Sequence, residues 1–182
     1  MASMRAIARS PLTWVLTVLI VLVLGAALAF FEPWRLVTDT TVDEAAPTVV
    51  APPGSMPQID PGSQPPRALA TGTFISHEHG TSGTVSVLQL ADGSRVLRLA
   101  DLDTSDGPDL HVWLTDAPVL EGRAGWGVFD DGRHTDLGQL KGNRGSQNYA
   151  IPADVDLTVL TSVSIWCDRF DVSFGAAALH AV

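Results

Sequence analysis

The chain changes its hydrophobic pattern twice. Residues 12–31, LTWVLTVLIVLVLGAALAFF, are apolar on every face and carry no charge. At 1.5 Å per residue they predict a helix of about 30 Å, the thickness of a bilayer's hydrocarbon core. Residues 36–70, LVTDTTVDEAAPTVVAPPGSMPQIDPGSQPPRALA, keep neither a helical nor a strand period. Pro, Ala, Thr, Ser and Asp dominate there. Such a composition buries too little surface to offset the entropy of ordering, so a disordered linker is predicted. As a coil it would hold the following domain roughly 30–35 Å from a membrane.

From residue 71 to 182 the pattern is one of short runs broken by turn residues. SGTVSVLQL and SRVLRLADL flank Ala91-Asp92-Gly93-Ser94, and Asp-Gly between alternating runs is a strong hairpin signal. GPDLHVWLTD, a Gly-rich loop over about residues 121–134, TDLGQLKGNRGSQNYAIP and SVSIWCDRFDVSFGAAAL complete the series. No amphipathic helix of useful length follows residue 31. The predicted class is all-β: an antiparallel β-sandwich, with a barrel as the alternative, preceded by one transmembrane helix and the linker. In the last run Val163, Ile165 and Cys167 are apolar at odd positions, whereas Phe170, Val172 and Phe174 are apolar at even ones. With a strand period of two, this flip requires a β-bulge or a turn between two strands near Cys167.

Charge adds orientation. Arg5 and Arg9 precede the apolar segment, and Glu32, Asp39, Asp43 and Glu44 follow it. The positive-inside rule then keeps residues 1–11 in the cytoplasm and makes the protein a single-pass membrane protein with an extracytoplasmic C-terminal domain. Ala27-Leu28-Ala29 resembles a cleavage site, so a cleaved signal peptide is the rival reading; the apolar stretch exceeds the usual ~7–15 residues of a signal peptide, which favours an anchor. The net charge of −9 excludes a nucleic-acid partner on electrostatic grounds. It also leaves residues 12–31 as the contact with the membrane, because anionic lipid repels an acidic domain.

Cys167 is the only cysteine, so an internal disulfide is excluded. A free cysteine often packs as a small hydrophobe, yet an unpaired thiol outside the cytoplasm invites a chemical role. If it is functional, Trp166 and Phe170 form its apolar surround. His77 and His79, two apart on a strand, share a face and with His111 and Cys167 form a conceivable metal set. Blue-copper spacing is absent, because no Met follows Cys167; paired surface histidines are the plainer account, and no metal ligand is assigned. ADLDTSDGPD and FDDGRHTD read as solvated turns, and KGNRGSQN as a polar hairpin loop. No G-x-S-x-G elbow marks a hydrolase.

Gly107-Pro108-Asp109-Leu110, Leu140-Lys141-Gly142-Asn143 with Gln147-Asn148-Tyr149, and Ile165-Trp166-Cys167 with Phe170 and Phe174 resemble the DM-thirteen domain family, proposed as an electron-transfer module. The resemblance spans about residues 71–180. It implies a redox role for Cys167, as a naked thiol or as a ligand to a prosthetic group, haem or metal, that the sequence does not specify. It also implies a redox or protein partner outside the cytoplasm. Two functions therefore stand: a membrane-tethered electron-transfer module using Cys167, and a non-catalytic binding or interaction module in which Cys167 is core packing.

Overall fold

The computed structural model describes residues 11–47 and 65–182. Helix α1, Pro11–Phe31, has no buried residue, and Leu16, Leu19, Leu22 and Val23 are each more than half exposed. An apolar surface of this length and breadth matches lipid rather than water. It is long and apolar enough to cross a membrane, and a signal sequence meets the same description.

Eleven strands follow among the described residues: β1 Thr41–Asp43, β2 Arg67–Thr73, β3 Ile75–Ser76, β4 Ser82–Gln89, β5 Arg95–Asp103, β6 Leu110–Thr115, β7 His134–Gln139, β8 Arg144–Ile151, β9 Ser162–Cys167, β10 Val172–Ala178 and β11 His180–Ala181. They form two sheets, ordered β1-β8-β5-β4-β2-β11 and β3-β10-β9-β6-β7. Each sheet keeps its edges, so the expected all-β sandwich is the fold, and the barrel alternative is set aside. The Asp92-Gly93 hairpin joins β4 to β5 in antiparallel register, with Gln89 opposite Arg95.

Period-two alternation sends Val85, Val87, Leu97, Leu99, Tyr149 and Ile151 inward from the larger sheet. Val112, Leu114, Val163, Ile165, Cys167 and Phe174 meet them from the smaller one. Each fully buried aliphatic side chain here stabilises the fold by about 1.5–3 kcal/mol. The outer face of the smaller sheet is covered as well. The 116–133 connection folds over it and encloses Trp113, Trp166, Ala117, Phe129 and Ala176 in a second apolar cluster. Strand β9 is consequently buried along its entire length.

The segment after α1 differs from the linker that its composition predicts over residues 36–70. Strand β1 lies parallel to β8, with Val42 opposite Gly145, and β2 begins at Arg67. Long-range polar contacts supply the ordering energy that the apolar composition lacks. The Thr40 amide donates to Asn143 Oδ1 at 2.7 Å, Asn143 Nδ2 donates to Asp39 at 2.9 Å, and Lys141 Nζ lies 2.7 Å from Glu44 Oε1. Residues 48–64, also part of the predicted linker, lie outside the described residues. The helix end is joined to the domain directly. Phe31 stacks on Phe170 at 5.9 Å, and Arg169 Nη1 donates to the Phe30 carbonyl at 2.6 Å.

Candidate functional site

Cys167 closes β9, opposite Leu110 of β6 and Val172 of β10. Its exposure is 0%. Burial pushes the thiol pKa up, against the amides of Phe170, Arg169 and Asp109, which pull it down. A protonated, enclosed thiol is a poor nucleophile, because thiol exchange needs an accessible thiolate. The phase flip in the sequence is the β9–β10 turn: the Phe170 amide donates to the Cys167 carbonyl at 3.2 Å, and Asp171 takes φ 49°. A bulge also occurs, but farther along, between Ser173 and Gly175. Two neighbours expected to surround the thiol do not. Alternation turns Trp166 to the opposite face of the sheet, into the second cluster, and Phe170 is 41% exposed against α1.

On that opposite face the aromatic side chains are continuous. The Trp166 and Trp113 rings stack at 5.0 Å, and Trp113 stacks on His134 at 4.0 Å with the planes 5° apart. Phe129 meets Trp166 edge-on at 6.4 Å and stacks on His77 at 5.7 Å. His77 is buried, with Nδ1 2.9 Å from Ser173 Oγ and Nε2 3.1 Å from the Leu120 carbonyl. A carbonyl only accepts, so Nε2 carries the proton and Nδ1 accepts from Ser173, whose oxygen accepts from Ser164 at 3.0 Å.

Burial lowers the His77 pKa from 6.5, with the Leu120 carbonyl opposing. As pH falls through about 6.5, the unfolded imidazole takes up a proton that the folded one refuses, so stability declines on the acid side. His77→Gln is expected to flatten the fall in Tm between about pH 7 and 5. An unchanged slope in thermal scans would show that His77 does not govern it.

The histidines and Cys167 do not assemble into one metal set. His79 lies over Phe174 at 3.9 Å, His77 is held by Ser173 and Leu120, and Cys167 faces the core between the sheets. His111 instead belongs to a carboxylate group. Its Nδ1 lies 2.8 Å from Asp136 Oδ2 and its Nε2 3.3 Å from Asp109 Oδ1. Burial alone would depress the His111 pKa, but Asp136, Asp109 and Asp168 outweigh it and raise it. Among the described residues, Asp109, His111 and Asp168 offer ligand atoms within 4.8 Å of one another. In the sequence Asp109 lies in a stretch that reads as a solvated turn. The D-x-H spacing at 109–111 is the local signal of the group, and Asp136 and Asp168 reach it only through strand pairing.

The other motif residues have structural work. The side-chain oxygen of Gln147 accepts from the amides of Lys141 at 3.1 Å and Gly142 at 3.3 Å and from the Tyr149 hydroxyl at 2.8 Å. Its Nε2 donates to the Gly142 carbonyl at 2.6 Å. KGNRGSQN is not the hairpin loop that its polarity predicts: residues 140–143 cross from β7 in the smaller sheet to β8 in the larger, and Arg144–Asn148 already belong to β8, whose Gln147 cinches the crossing. It borders a small cleft of about 100 Å³ shared with Arg35, Asp106 and Gly107.

A haem held by Cys167 does not fit these residues. A ligating sulfur needs an open side for the macrocycle, whereas this one is enclosed by the apolar core. Fold and site together define a β-sandwich module with one enclosed thiol, carried behind a single apolar helix. Residues 73–179, more than half of the chain, match the family described as electron transfer DM13, and the protein belongs to that family. No curated protein and no solved structure matches the chain.

Proposed function

We propose that the protein is a membrane-tethered, extracytoplasmic electron-transfer module in which Cys167 is the redox residue. Family membership supports the electron-transfer part. The apolar α1, flanked by Arg5 and Arg9 on one side and acidic residues on the other, supports the tether and its direction. The observation that supports a role for Cys167 is its place on β9 next to Trp166 in the chain: the thiol faces the core between the sheets, and on the opposite face of the same strand Trp166 is the centre of the stacked series His134–Trp113–Trp166. Thiol exchange requires contact with a thiolate, but an electron passes through packed atoms. Burial that forbids the first chemistry is compatible with the second. The partner is a one-electron carrier outside the cytoplasm: as it accepts one electron from the Cys167 thiol, the sulfur becomes a thiyl radical and the S–H proton is released to solvent, and return of the electron and a proton restores the thiol.

The test uses the full chain in detergent with a small outer-sphere redox mediator. Wild type is expected to exchange electrons reversibly, and Cys167→Ser to fold normally yet lose most of that exchange. A wild-type protein with no redox transition, or a Cys167→Ser protein that retains it, overturns the assignment. Complete burial favours a second reading, in which Cys167 is packing in a binding module. On that reading Cys167→Ala costs about 1 kcal/mol through a small cavity and leaves redox behaviour unchanged.

A further inference from the structure

We propose that Asp109, His111 and Asp168 form a binding site for a first-row divalent cation, of the class of Mn²⁺, Fe²⁺ or Zn²⁺, with Asp136 as the residue that orients the imidazole. The site stands independently of whether Cys167 exchanges electrons.

Three observations carry it. The first is the donor set: one imidazole and one carboxylate at the start of β6 and a second carboxylate just past the end of β9, with ligand atoms within 4.8 Å of one another. His111 Nε2 and Asp109 Oδ1 are 3.3 Å apart, close to the roughly 3 Å that separates adjacent ligands around an ion bound at about 2.1 Å. Asp168, the exposed member, has the side-chain freedom to close the remaining gap. Its backbone is already fixed, because its amide donates to the Asp109 carbonyl at 3.0 Å.

The second is the other ring nitrogen. Nδ1 sits 2.8 Å from Asp136 Oδ2, which accepts its hydrogen bond and fixes the ring with Nε2 facing Asp109 Oδ1 at 3.3 Å; a bound cation would take the place of the Nε2 proton between them. A carboxylate–histidine pair with its free nitrogen aimed at further carboxylates is the arrangement that supports metal-ligating histidines.

The third is charge. Several other carboxylates have basic partners: Asp106 with Arg35, Asp116 with Arg133, Asp39 and Asp103 with Arg144, Glu44 with Lys141. The ion pairs of Asp109 and Asp136 are to His111 alone, and Asp168 has no Arg or Lys within ion-pair distance among the described residues. Three carboxylates around one imidazole leave negative charge that a divalent ion neutralises. The mixed nitrogen and oxygen donors suit a borderline first-row ion better than Ca²⁺ or Mg²⁺, which prefer oxygen alone.

The experiment is titration of the full-length protein in detergent with MnCl₂ and ZnCl₂, followed by calorimetry and, for Mn²⁺, by electron paramagnetic resonance. One ion is expected to bind per chain, with nitrogen coupling in the Mn²⁺ spectrum and a rise in Tm. His111→Gln and Asp168→Asn, each with an apo Tm near wild type, are expected to abolish that binding. Asp136→Asn is expected to weaken it about 10–100-fold, as loss of an orienting carboxylate does. Asp103→Asn, at a carboxylate paired with Arg144, should leave it unchanged. Absence of saturable binding, or binding that survives His111→Gln or is matched by CaCl₂, overturns the site.

Discussion

Trp166→Ala is expected to destabilise the domain by about 3–5 kcal/mol, the range for removing a large buried aromatic. Trp166 is the largest of the fully buried side chains, at 1% exposure. It contacts Trp113 on one side and Phe129 on another, so its removal opens a cavity between the sheet and the 116–133 cover. That cover cannot close the cavity freely. It is tied at Leu120 through His77 and at Trp126, whose carbonyl accepts from the Ser173 amide at 2.8 Å. Equilibrium denaturation measures the loss. Trp166→Phe should recover a large part of it, because a ring remains to stack. A loss below about 1 kcal/mol for the alanine variant would mean that the second cluster contributes little to stability.

The second large effect is expected at Gln147, which is 0% exposed. Gln147→Leu keeps the volume and removes every polar atom. The Tyr149 hydroxyl, the Gly142 amide and the Gly142 carbonyl then lose the partner that each has in the side-chain amide. An unsatisfied buried polar group costs about 1–3 kcal/mol, so a total near 3–5 kcal/mol is expected. The damage should spread to β1, since Lys141 and Asn143 on the same loop hold Glu44 and Thr40. Hydrogen exchange at the amides of residues 40–45 should therefore accelerate in the variant. If those amides keep their protection while stability falls, the loop and β1 are not coupled through Gln147.

The residues explain why some of this was legible in advance. Val163, Ile165 and Cys167 alternate with Ser162 and Ser164, and alternation suffices to identify β9 and its inner face. The same pattern marks the serines as solvent-facing, which they are not. Ser162 Oγ donates to the Ala117 carbonyl at 2.7 Å, and Ser164 Oγ to Ser173. A 116–133 connection that returns over the sheet has no periodic signature, so the burial of both faces of β9 could not be read from β9. Arg98 carries a similar lesson. Its place on the outer face of β5 follows from alternation, but its bonds to the Glu44 and Ala45 carbonyls depend on a segment whose composition predicts coil.

What the sequence determined alone is what a local period can specify: an apolar helix of membrane-spanning length, short antiparallel strands, the Asp-Gly hairpin, and an irregularity beside Cys167. These follow from side-chain direction, which repeats every 3.6 residues in a helix and every two in a strand. What only the tertiary structure decided is which positions meet. The pairing of β6 with β9 puts Leu110 against Cys167 and His111 beside Trp166, and the pairing of β6 with β7 brings His111 opposite Gln139, within reach of Asp136. The enclosure of the thiol, the Trp113–Trp166 stack and the Asp109–His111–Asp168 group all arise from contacts between residues far apart in the chain. Such contacts form because sheet registry and a shared core satisfy many side chains at once, and no local stretch encodes them.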